Sequence, residues 1–176
     1  MCRSPSPSLP FTLLCTFVTL ISLPALAREP EAVITVSKEI PFSEHSGVIE
    51  TVQRECHLQE KIPKFLQSYA KKDAKIILTS DPIEEVPGRV LIMTIVGGSG
   101  VGGGAWSGLK SLTVQGKLVE DGAVIGSFTA ARYSGGGAWG GFKGTCSIFG
   151  RCAKAIGKDI ALWLKNATMD AHLGDA

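Results

Sequence analysis

Residues 110–133 read KSLTVQGKLVEDGAVIGSFTAARY, and this stretch decides the fold. Lys110 to Val119 and Ala123 to Tyr133 are rich in β-branched and apolar residues, and Glu120-Asp121-Gly122 between them is a turn signal. The stretch therefore predicts a β-hairpin, whose two open ends lie side by side. Each open end leads into the same pentapeptide: Gly-Gly-Gly-Ala-Trp covers Gly102–Trp106 and again Gly135–Trp139, 33 residues later. Both copies are thus expected at one end of a sheet, opposite the turn.

Working outward, Arg89 to Val96 is an almost continuous apolar run and predicts a central strand. Lys75 to Thr79 predicts a short strand, closed by Ser80-Asp81-Pro82. Ala32 to Ile40 alternates as a strand does. Val48 to Cys56 alternates too, but is short enough to be a strand or the start of a helix. Leu58, Ile62, Phe65, Leu66 and Tyr69 recur at helical spacing, with Pro63 tolerable in a first turn, so a helix is expected to begin near 59–62. Phe149, Cys152, Ala153, Ile156, Ile160, Trp163 and Leu164 mark a second amphipathic helix, with Thr145 or Ser147 able to cap its start. The expected class is α+β: one mixed, largely antiparallel sheet with two amphipathic helices packed on one face. A single domain is expected over 28–166, with 167–176 as a flexible tail.

Residues 1–27 read as a cleaved export signal. Arg3 precedes the uncharged apolar run Phe11–Leu23, Pro24 breaks it, and Ala25-Leu26-Ala27 supplies small residues for the peptidase. Cleavage would leave 149 of the 176 residues, a size that suits one core. Losing Arg3 with the leader leaves 17 Lys and Arg against 16 Asp and Glu. That balance makes no electrostatic case for nucleic acid or an acidic surface. After cleavage no run approaches the ~18 apolar residues of a membrane span. The expected location is the periplasm or the exterior.

Cys56, Cys146 and Cys152 follow the leader, and an oxidising compartment favours disulfides. The short spacing of Cys146 and Cys152 makes them the expected pair, with Cys56 left over. Cys56-His57 offers a competing reading as a thiol-dependent or metal-binding enzyme, although no CxxC pair supports a metal. Neither a metal nor a cofactor is expected. His45, His57 and His172 are the only histidines, and their placement suggests no triad.

GRVLIMTIVGG at 88–98, GLKSLTVQGKLVEDGAVIGSFTAARYSGGG at 108–137 and KAIGKDIALWL at 154–164 together resemble a family of exported bacterial domains of unknown function. Many of its members are lipoprotein-like, with a fold similar to the amino-terminal domain of TolB. The resemblance implies an accessory domain facing the cell envelope and carries no catalytic residues. This chain lacks the lipobox cysteine of many such domains.

The candidate binding residues are Trp106, Trp139, Gly104 and Gly137. Triglycine permits close backbone approach, and tryptophan offers a large apolar surface with a polar N–H. A protein of the envelope is the expected partner through this sheet end. The competing expectation is that both tryptophans plug the end of the sheet and have no partner. The sequence does not specify oligomeric state.

Overall fold

The structure, a computed structural model, describes residues 32–100, 108–135 and 142–176. The leader and the four candidate binding residues Trp106, Trp139, Gly104 and Gly137 lie outside the described residues. In chain order the elements are β1 (Ala32–Ser37), α1 (Glu50–Cys56), α2 (Leu58–Ala70), β2 (Ala74–Thr79), β3 (Arg89–Ser99), β4 (Lys110–Glu120), β5 (Ala123–Ser134), α3 (Thr145–Trp163) and β6 (Ala171–Gly174). The strands form one mixed six-stranded sheet in the order β2-β1-β3-β4-β5-β6. β1 runs parallel to β2 and β3, β3-β4-β5 is an antiparallel meander, and β6 returns parallel to β5. The α+β class expected from the sequence is the one observed.

Alternation along the strands sends one set of side chains under the helices. Ile34, Val36, Leu91, Met93, Ile95, Leu112, Val114 and Leu118 join Leu58, Ile62 and Leu66 of α2 and Ile148, Ile156 and Ile160 of α3 in one buried cluster. The helices run side by side in the same direction. Gly157 makes this possible, because a Cβ there would stand 2.7 Å from Phe65 Cβ and 2.9 Å from the Leu66 backbone nitrogen. Two strand glycines have the same logic: a Cβ on Gly126 would meet the Trp163 ring, and one on Gly116 would meet Phe128. Phe128 and Trp163 in turn pack edge to face, with ring centroids 4.9 Å apart.

The ambiguous segment before α2 is helical. Val52 and Cys56 are buried while Arg54 between them is exposed, whereas a strand would set all three on one face. His57, at φ 51°, turns the chain from α1 into α2. Pro63 is accommodated inside α2 and is buried. α3 begins at Thr145, earlier than its apolar stripe suggests, and Gly144 stands at the N-cap without a side-chain cap.

That early start overturns the expected Cys146–Cys152 disulfide. Both residues lie in α3, six positions apart, so their Cα atoms are roughly 9 Å apart along a helix, too far to bridge. The bond is instead Cys56–Cys146, joining the α1–α2 corner to the first turn of α3 across 90 residues of sequence. Cys152 is the free, buried thiol, 3.8 Å from the carbonyl of Lys110, to which it donates. Burial, with Asp175 as the second cause, pushes that thiol up from 9.0 to about 11.

The tail is also ordered, contrary to expectation. Ser127 Oγ donates to Asp170 Oδ1 at 3.0 Å and accepts from the Asp170 N–H at 2.7 Å, holding the start of β6. At its other end Asp175 accepts from the Tyr133 N–H and from Arg132, and donates its own N–H to the Ala131 carbonyl. Arg132 also grips Asp159 of α3 with two N–H groups, at 2.7 and 2.9 Å. One guanidinium therefore joins sheet, helix and tail, and the two carboxylates hold its pKa above the ordinary value.

Three expectations follow from these contacts. Alkylation under denaturing, non-reducing conditions should modify one of the three non-leader cysteines, and peptide mapping should link 56 to 146; Cys146→Ser should cost about 4–5 kcal/mol of stability by loop-closure entropy. Because the Cys152 pKa is raised on folding, its contribution is complete below the unfolded value of 9.0 and is lost as pH rises towards 11. Denaturation of Cys152→Ala compared with the parent across that window should remove this part of the alkaline loss. Ser127→Ala and Asp175→Ala should each speed amide hydrogen exchange in Ala171–Gly174 while leaving α3 protected; unchanged exchange would mean the tail is held by something else.

Candidate functional site

At the end of the sheet away from the β4–β5 turn, the chain flanking both Gly-Trp segments comes together. Ser99 pairs with Ser111, and Lys110 pairs with Ser134, so the last residues of β3, the first of β4 and the last of β5 stand abreast. The two serines at 99 and 111 share a 2.7 Å hydroxyl bond that pins the close of β3 to the opening of β4. Gly100 follows at φ 133°, and a Cβ there would overlap the stem of Lys110, which is fully buried. Trp106 belongs to the β3–β4 connection and Trp139 to the β5–α3 connection. Both repeats lie outside the described residues; the strand ends that flank them, at Ser99, Lys110 and Ser134, share one sheet end.

Among the described residues near those connections, three large side chains are exposed. Leu109 is 66% exposed, Tyr133 59% and Phe142 84%. Leu109 lies against Gly135, where a Cβ would sit 3.2 Å from its Cδ2. Large apolar side chains gathered at this exposure mark a contact surface more often than scattered ones do.

The Cys56–His57 reading is corrected by the same geometry. The Cys56 sulfur is bonded to Cys146, so it offers neither a thiolate nucleophile nor a metal ligand. His57 points away, with Nδ1 3.6 Å from Glu60 Oε1 at the protein surface. Glu60 itself is held below the ordinary carboxylate range, chiefly by its hydrogen bond from Lys64. The remaining thiol, on Cys152, is buried and its pKa is raised, the opposite of an activated nucleophile.

A second surface, the sheet face that the helices leave uncovered, has no signal in the sequence. A trough of about 640 Å³ crosses it. Strand register sets two ranks of side chains there. Thr94 pairs with Gln115, Gln115 with Thr129, and Thr129 with His172, one row across four strands. Beside it Ile92, Lys117 and Ser127 form a second row. Gln115 Nε2 lies 3.4 Å from Thr129 Oγ1 within the first row. Such a row of hydroxyl, amide and imidazole can exchange hydrogen bonds with a polar ligand. His172 reaches it only because the tail forms β6. Asp170 beside it is taken up by two hydrogen bonds with Ser127.

No family model matches the chain, and no curated protein matches it. Solved structures do share its outline. The PelC dodecamer from Paraburkholderia phytofirmans is 17% identical, over 78% of this chain and 92% of that one, with a TM-score of 0.45. A putative neuraminyllactose-binding hemagglutinin homolog from Helicobacter pylori is 14% identical, over 77% and 84%, with a TM-score of 0.46. A DUF330 protein from Xanthomonas campestris is 12% identical, over 77% and 85%, with a TM-score of 0.48. An overlap this loose bears on neither the activity nor the partners of this chain. None of the three is TolB, and the likeness to its amino-terminal domain stays an expectation.

Proposed function

We propose that this chain is an exported, non-catalytic binding domain of the bacterial cell envelope. In this reading it contacts a protein partner through the sheet end bearing Trp106 and Trp139, with Gly104 and Gly137 allowing close approach. The observation that carries the reading is the exposure of Leu109, Tyr133 and Phe142 where the flanks of both Gly-Trp segments meet. An apolar rim beside two tryptophans suits a protein interface, where buried aromatics contribute most of the affinity. Export is supported by the leader pattern in residues 1–27 and by the Cys56–Cys146 bond, since disulfides persist in oxidising compartments.

The test is in-cell photocrosslinking with a probe in place of Trp106, Trp139 or Tyr133, and a control probe at Asp121 on the opposite turn. Discrete high-mass adducts from the first three positions and none from Asp121 are expected. A folded, exported protein that yields no adduct from any of the three would overturn the reading and leave the tryptophans as structural plugs.

A further inference from the structure

The near-neutral net charge conceals a local gathering of lysines. Lys71 and Lys72 follow the last turn of α2, while Lys154 and Lys158 stand on the outer face of α3, all four exposed. Because the helices run in the same direction, the ends of both open on one groove of about 430 Å³. Lys71, Lys72, Lys158 and Lys165 line it, with Asp73 as the one acid in its lining. Asp73 is already paired with Lys165 at 3.0 Å. Two acids of the same helices are already engaged, Glu60 by Lys64 and Asp159 by Arg132, and others lie elsewhere. Glu85 and Asp121, for example, border a hollow with Ile92 and Val119 on the uncovered sheet face, across the sheet from the helices.

The ordinary explanation for lysines here is compensation of the helix dipoles. Two helix C-termini present roughly one negative charge in total, at about half a charge each. Four lysines against one aspartate and that one unit still leave an excess, before Lys154 is counted. Two apolar side chains sit among these cations: Tyr69, 38% exposed, and Leu162, 52% exposed. Lysines surrounding a tyrosine and a leucine on a flat helical layer form the mixed surface that suits a lipid headgroup boundary. There, ammonium groups meet phosphates and the amphipathic tyrosine ring sits at the interface.

We infer that the outer face of the α2–α3 layer docks on an anionic phospholipid surface, through Lys71, Lys72, Lys154 and Lys158 with Tyr69 and Leu162 as apolar contacts. Such docking is peripheral, since no helix among the described residues is long and apolar enough to cross a membrane. It does not depend on the Gly-Trp reading. The basic groove lies at the opposite end of the helices from the Cys56–Cys146 bond.

The experiment is co-sedimentation of the full chain with vesicles of pure phosphatidylcholine and of phosphatidylcholine mixed with phosphatidylglycerol. Anything contributed by residues 1–31 is then common to parent and variants. Binding should rise with phosphatidylglycerol and fall with added salt. The combined K71Q, K72Q, K154Q and K158Q variant should bind at least a hundredfold more weakly, taking roughly fivefold per lysine. These positions are exposed, so the variant should melt like the parent, which is checked alongside. Tyr69→Ser with Leu162→Ser should weaken vesicle binding but not binding to soluble polyglutamate. Equal binding to both vesicle types, or a quadruple variant that binds like the parent, would overturn the inference. So would apolar substitutions without effect beside tight polyglutamate binding, which would make the face a site for acidic protein.

Discussion

The domain is organised by the near-contact of two helix backbones. At Gly157 there is no room for even a methyl group between α3 and the Phe65–Leu66 stretch of α2. Helices drawn this close present one continuous apolar floor, from Leu58 to Ile160, to the four inner strands. The pair is closed at one end by the Cys56–Cys146 bond and at the other by the Asp73–Lys165 ion pair. The covalent link carries the greater weight, because an exposed ion pair contributes at most about 1 kcal/mol. With the helical layer fixed in this way, the sheet has one buried face and one free face, and every candidate surface is a consequence of that division.

How much of this the sequence could reveal depends on the range of the interaction concerned. The β4–β5 hairpin was legible because its strands and turn are contiguous, and α2 and α3 were legible because their apolar stripes repeat locally. The segment before α2 was ambiguous, since Val48 to Cys56 fits a period of two until burial singles out Val52 and Cys56. The disulfide was misread because sequence spacing favoured Cys146 and Cys152, whereas a helix beginning at Thr145 separates them. The tail was misread because β6 has no apolar pattern of its own. It is held by Ser127, Arg132 and Tyr133, more than 40 residues upstream.

The candidate surfaces divide along the same line. That the strand ends flanking both Gly-Trp segments share one sheet end follows from the hairpin alone, but the exposure of Leu109, Tyr133 and Phe142 does not. The row from Thr94 to His172 exists only once four strands are in register. Two irregularities tune that register: the pairing shifts between Ile95 and Gly97 in β3, and between Leu118 and Val119 in β4. Each leaves one residue unpaired, Val96 in β3 and Ile125 in β5, and so exchanges the faces that the residues beyond it occupy. Net charge was equally blind to arrangement, since a sum near zero is the same whether lysines are dispersed or gathered on one layer.

The order of the cysteines along the chain has a consequence for biosynthesis. Of the three cysteines among the described residues, a ribosome delivers Cys56 long before the other two, and it delivers Cys146 before Cys152. The 90 residues that separate the bonded pair include β2, β3, β4 and β5. Of those two the bonded thiol is thus the first to follow Cys56, yet it arrives only when the residues of the sheet's central meander have already been made. Oxidation of this protein is a late event by construction, and closing the bond seals a meander whose strands are already present. Cys152, arriving last, enters the interior against the Lys110 carbonyl.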